Sequence, residues 1–160
     1  MTANSAWWKV LVAIAIAEAA GLIGSFFTTP EIPTWYASLV KPNFAPPSWV
    51  FAPVWTTLFV LMGIASYLVY RSANGRRAAK IALVVYGIQL ILNVGWSWLF
   101  FGQQNPGAAL VEIGILWMAI AMTIFLFSRL SKAAAWLLVP YLAWVSFASY
   151  LNYWYWILNR

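Results

Sequence analysis

Apolar residues run along this chain in five long blocks, broken by one proline-rich stretch and three short polar links. Each block can cross a bilayer, which takes roughly 20 apolar residues at 1.5 Å rise each. The pattern predicts helices over residues 7–27, 50–70, 79–101, 107–128 and 133–157. The expected fold class is therefore an all-α integral membrane protein, a five-transmembrane-helix bundle. The first block has one basic residue in its flank, Lys9, carries Glu18 in its middle and lacks a small-x-small cleavage site. It is read as a mature helix, not a secretory leader.

Polar residues inside the blocks fall on single faces. The third block places Gln89, Asn93 and Ser97 at i, i+4 and i+8, with Trp96 and Phe100 beside them. Such a stripe is costly against lipid, so it points into the bundle. Hydrogen bonding between helices accounts for Gln89 and Ser97, with Ser97 kept as a candidate ligand contact. Asn93 is the better candidate for holding a ligand carbonyl or carboxylate. The fifth block presents Tyr141, Trp144, Ala148, Asn152 and Tyr155 along one face, and Pro140 should bend it. Small Ala148 between bulky rings leaves room for a helix or a flat ligand. In the second block, Trp55, Phe59 and Met62 share a face. The first block carries a small-residue stripe, Ala13, Ala17, Gly21 and Ser25, of the kind that lets helices approach closely. That stripe and Gly114 are candidate faces for self-association.

Depth decides which of these residues can meet. At 1.5 Å per residue from the outer ends, Trp55 and Phe59 lie roughly 8 and 14 Å down, and Trp96 and Asn93 roughly 8 and 12 Å. Asn152, Ala148 and Trp144 lie roughly 8, 14 and 20 Å down. Three helices thus bring aromatic and amide groups to one level, beneath the 28–48 connection. That connection holds five prolines along with Trp35 and Tyr36, which makes a stiff cap over an apolar cavity with a few polar handles. Trp7, Trp8, Trp49, Trp98, Trp136, Trp154 and Trp156 lie near span ends, where an aromatic belt accounts for them, and Trp117 is expected to face lipid.

Composition narrows the chemistry. The chain has 160 residues, 64% hydrophobic and 8% charged, with no Asp, His or Cys. The commonest ligands for zinc, copper and haem iron are missing, so no metal site is expected. Hydrolytic triads and thiol nucleophiles are missing too. Glu18, Glu31 and Glu112 are the only acids; Glu18 is expected to be buried and paired or protonated, and Glu112 to lie near the outer interface. The net charge of +6 does not point to nucleic acid. Lys9, Arg71, Arg76, Arg77, Lys80, Arg129 and Lys132 fall on one side of five crossings, with Lys41 and Arg160 on the other. This asymmetry places the N-terminus in the cytoplasm, and the C-terminus and the 28–48 loop on the opposite side; the basic groups face lipid phosphates of the bilayer.

Four blocks carry a family resemblance: Lys41-Pro-x-x-x-Pro-Pro-x-Trp49, Pro53-Val-Trp55-Thr-Thr-Leu-Phe59, Asn93-Val-Gly-Trp96-Ser97 with Phe100-Phe-Gly102, and Pro140-Tyr-Leu-Ala-Trp144 with Phe147-Ala148 and Leu151-Asn152-Tyr153. The chain resembles the TspO/MBR family, the tryptophan-rich sensory and translocator proteins, over almost its whole length. It departs at Phe44, where many members have Trp. The resemblance implies a single five-helix transmembrane domain over residues 1–160, often dimeric, with a pocket under the first loop. Family pocket positions carry over onto Tyr36, Trp55, Phe59, Asn93, Trp96, Trp144 and Ala148. Family ligands are porphyrins such as protoporphyrin IX, isoquinoline and benzodiazepine drugs, and, in animal members, sterols. A sterol pattern is traceable on Leu151, Tyr155 and Arg160, though it is weak. No cofactor is implied, porphyrin being the ligand.

The leading expectation is a porphyrin receptor in which Trp55, Trp96 and Trp144 stack on the ligand while Asn93, and Lys41 at the rim, orient a propionate. A second, drawn from the family, is light- and oxygen-dependent porphyrin degradation, with Trp55 and Trp144 as candidate redox-active indoles. A third is transport of porphyrin or sterol-like molecules.

Overall fold

The computed structural model describes residues 7–72 and 77–160, so Arg76 lies outside the described residues. Five long helices follow the apolar blocks: α1 (Trp7–Thr28), α3 (Phe51–Ser72), α4 (Arg77–Ser97), α5 (Pro106–Ser128) and α6 (Lys132–Leu158). A short helix, α2 (Trp35–Ser38), sits in the long connection, and a 3₁₀ turn at Ser48–Val50 leads into α3. The described residues form no strand. All five long helices have the length and composition to span a membrane, and the protein is an integral multi-pass membrane protein.

Local chemistry sets the helix ends. The Asn105 side chain accepts from Ala108 N at 3.0 Å and Pro106 opens the first turn of α5. Ser131 caps α6 in the same way, accepting from Ala134 N at 3.3 Å. The third apolar block ends differently. After Ser97 the backbone widens into a π-helical turn, Trp98–Gly102, and Gln103 N donates to Trp98 O five residues back at 2.8 Å. That extra residue per turn lets two consecutive side chains, Phe100 and Phe101, both turn inward and be buried.

Around the bundle the helices run in the order α1, α3, α6, α5, α4 and back to α1. Below the middle, α1 and α3 pack almost backbone to backbone, because Gly63 sits directly on Ile14. The small-residue stripe of α1 faces inward: Ala17 is fully buried and Gly21 lies against the Phe59 ring. It is used inside the protomer and offers no self-association face, unlike Gly114, which has no neighbour within 4 Å of a Cβ built there.

Two hydrophobic clusters result. One fills the bundle from Ala17 and Phe59 down to Phe127 and Ala134. The other is aromatic and lies under the connection, built on Tyr36, Phe100, Phe101, Leu151 and Tyr155.

Candidate ligand cavity at the capped end

A cavity of about 260 Å³ lies between these clusters. Its walls come from α1, α3, the α4–π segment and α6, and its roof from Thr29, Ile32, Tyr36 and Ser48. Helix α5 contributes nothing to it. Tyr36, Trp55, Phe59, Asn93, Trp96, Ser97, Trp144, Ala148 and Asn152 all line this one space. The depth matching of three helices therefore holds, and a fourth wall, α1, is added by Glu18, Gly21, Leu22, Gly24, Ser25 and Thr28.

The roof is fastened at four points. The hydroxyls of Tyr36 and Tyr155 are 2.7 Å apart. Asn159 accepts from Val40 N at 2.8 Å and donates to Val40 O at 3.0 Å. Phe44 stacks on Tyr150 with centroids 5.1 Å apart. Gln104, held at a positive φ of 50°, donates to Glu31 Oε2 at 3.1 Å and ties the α4–α5 turn to the roof. Trp35 adds edge contacts to Phe100 and Phe101. Burial pushes the Tyr36 hydroxyl above its ordinary value, and the bond to Tyr155 offsets part of that rise.

The side of the cavity is not closed in the same way. Leu22 on α1 lines it yet is 63% exposed, and Ala52 and Thr56 on α3 are exposed lining residues as well. The cavity thus opens sideways where the outer halves of α1 and α3 part, toward the hydrocarbon of the bilayer.

Within the walls the aromatic rings are already organised. Trp55 stacks on Phe59 at 5.7 Å, and Trp96 stacks on Phe100 at 5.2 Å. Trp144 is edge-on to Phe51 at 5.9 Å, and its indole N–H is buried with no hydrogen-bond partner among the described residues. A flat apolar molecule entering this space would meet stacking faces.

Residues 13–157 match the sequence profile of the TspO/MBR family. The chain belongs to the TspO/MBR family. It is 49% identical over 140 residues to the tryptophan-rich protein TspO of Chlorobaculum tepidum, covering 88% of this chain and 89% of that protein. It is 41% identical over 155 residues to the translocator protein of Homo sapiens, covering 96% and 92%. The tryptophan-rich sensory protein of Cereibacter sphaeroides is 34% identical over 150 residues, covering 94% and 90%.

In this TspO/MBR protein several expected site residues have their polar groups committed elsewhere. Asn152 was expected to meet ligand, but its Oδ1 accepts from Trp96 Nε1 at 2.9 Å and its Nδ2 donates to Pro106 O at 2.7 Å. It is a positioning residue that joins α4, α5 and α6 and fixes the Trp96 ring. Asn93 donates to the Tyr141 hydroxyl at 3.0 Å, and that hydroxyl donates to Gln89 Oε1 at 2.8 Å. This relay seals the cavity floor between α4 and α6; Asn93 Oδ1 accepts no hydrogen bond among the described residues and remains free for a ligand donor. Lys41 does not line the cavity: its Nζ stands 4.6 Å above the Tyr36 ring centroid, a cation–π contact at the roof.

Other expectations are corrected by packing. Trp117 does more than face lipid, since its Nε1 donates to Ser146 Oγ at 2.8 Å. Glu112 is not met by water as expected: both carboxyl oxygens are buried without a partner among the described residues, beside Gly95. Glu18 is unpaired at Oε1, which is buried at the cavity. Leu151 and Tyr155 are buried in the bundle, so the sterol pattern drawn through them is no lipid-facing surface. The sequence reading missed Phe101, because only the π turn brings it inward. It also missed the α1 wall, although Gly21 and Gly24 were the available signal.

Proposed function

We propose that the protein is a membrane receptor for flat hydrophobic ligands of the porphyrin class, protoporphyrin IX among them, with a regulatory or tetrapyrrole-handling role. The supporting observation is the convergence of Trp55, Trp96 and Trp144 on one capped cavity that also holds the free acceptor of Asn93. Stacking supplies affinity, and the Asn93 acceptor orients the ligand. At about 260 Å³ the cavity is below the roughly 300–1,000 Å³ usual for ligand sites. A tetrapyrrole would therefore leave an edge in the side opening between α1 and α3. Isoquinoline and benzodiazepine compounds fit the same walls with less protrusion.

The test is a dark titration with protoporphyrin IX followed by tryptophan quenching. Saturable binding that weakens at least about tenfold in Trp144→Ala and Asn93→Ala supports the reading. Binding unchanged in both variants overturns it.

A second reading has one observation behind it: Trp55 and Trp144 both line the cavity, so two oxidisable indoles would stand at contact distance from an excited porphyrin. Light- and oxygen-dependent degradation then needs product in several-fold excess over protein. Transport of porphyrin or sterol-like molecules has less support, since the floor is sealed by Gln89, Tyr141 and Asn93.

Orientation follows the basic residues. Lys9, Arg71, Arg77, Lys80, Arg129 and Lys132 share the end opposite the roof, so we place that end, and the N-terminus, in the cytoplasm. We also propose a homodimer, with the open face of α5 around Gly114 as its seam.

A further inference from the structure

Among the described residues Glu18 is the one charged side chain on the cavity wall, and nothing in the porphyrin reading uses it. It stands ten residues before the end of α1, roughly 15 Å deep and so near the middle of the bilayer. An acid at that depth is expensive unless a partner of opposite charge or a hydrogen-bond donor meets it. Its Oε1 is buried, and no donor among the described residues reaches it.

The surfaces beside it have a complementary chemistry. One turn above, Gly21 lets the Phe59 ring lie directly on the α1 backbone, and Trp55 stacks on that ring. A carboxyl group that lines the same cavity as the Phe59 and Trp55 rings, at hydrocarbon depth, is the recognition chemistry of an organic ammonium. The opening at Leu22 and Thr56 leads to this end from the hydrocarbon, where amphiphilic cations already partition. Among the described residues no lysine or arginine lines the cavity to compete for the carboxyl group.

We propose that the deep end of the cavity is a binding site for the ammonium group of membrane-partitioned cationic amphiphiles, with Glu18 as counter-ion and Phe59 and Trp55 as aromatic walls. The proposal rests on the cavity being a ligand site and adds a second ligand class to it. It also sets polarity: an anionic group is kept away from Glu18 and held toward the roof.

The probes are an anthracenylmethyl-trimethylammonium ion and its neutral isostere carrying a neopentyl group. Affinities are measured by tryptophan quenching in zwitterionic nanodiscs, at equal membrane-bound concentrations of the two probes. The parent should bind the cation at least about tenfold more tightly than the isostere. Glu18→Gln should bring the two within about twofold and leave the neutral probe unchanged. Equal binding in the parent, a preference retained by Glu18→Gln, or no binding of either probe overturns the proposal. A parallel protoporphyrin titration with Trp144→Ala shows whether the cavity reading falls too, since porphyrin binding sensitive to that variant would leave it standing.

Discussion

The hydroxyl of Tyr36 in α2 lies 2.7 Å from that of Tyr155 on α6, and the two rings are 5.4 Å apart. This buried pair joins residues 119 positions apart and is the innermost fastening of the roof. A neutral hydrogen bond contributes about 0.5–1.5 kcal/mol net. Tyr36→Phe should therefore speed ligand dissociation about two- to tenfold with little change in association, as stopped-flow quenching would show. Tyr155→Phe should do the same, and the double variant should add little more.

The same pair gives a pH dependence with a definite sign. Burial raises the Tyr36 hydroxyl above its usual value, so the closed roof favours its neutral form. The contribution is complete below the open-state value of about 10 and is lost as pH rises through the higher closed-state value. Ligand affinity should be flat between about pH 7 and 9 and fall above about 10. An equal alkaline fall in Tyr36→Phe would assign it to another group.

Asn159 holds the far end of the roof through both directions of its amide to Val40 and a further bond to Tyr155 O at 2.9 Å. These bonds are at the water-exposed end, so their loss should loosen the roof without melting the bundle. Asn159→Ala should raise hydrogen exchange at the Val40 amide at least about tenfold while leaving the thermal midpoint within a few degrees.

The bundle was legible because its signal is long and redundant: each block of apolar residues has one structural solution in a membrane. Trp55, Phe59, Asn93, Trp96 and Trp144 were legible for a related reason, since rise per residue converts sequence position into depth. The π turn was not, because one extra residue in a helix leaves no mark in the pattern of Trp98-Leu-Phe-Phe-Gly102. Asn152 was legible as a cavity residue but not in its bonding, because an amide beside aromatic rings looks the same whether it meets a ligand or a neighbouring indole. Only the geometry separates the Trp96 bond from a ligand bond.

Gly63 should be the least replaceable glycine. A Cβ there meets the backbone of Ile14, so α1 and α3 must separate for Gly63→Ala to be accommodated. Overpacking of this kind costs about 1–3 kcal/mol. Gly87→Ala has no neighbour within 4 Å and should be neutral or stabilising by up to about 1 kcal/mol. Thermal unfolding in one detergent should place Gly63→Ala well below the parent and Gly87→Ala at or above it.

Gly21 offers the opposite outcome, a change in binding with the fold retained. A Cβ at Gly21 would stand 2.5 Å from Phe59 Cε2 and 2.7 Å from Cδ2, contacts with a side chain that can turn and not with backbone. The ring must swing away from α1, and the space beside it is the cavity that Phe59 and Trp55 line. Gly21→Ala should therefore fill part of the cavity, disturb the Trp55–Phe59 stack and weaken porphyrin binding about tenfold or more. The thermal midpoint should stay close to that of the parent. Adding Phe59→Leu removes the clashing ring atoms and should restore part of the affinity. Full affinity in Gly21→Ala would mean that the ligand does not reach the Phe59 end.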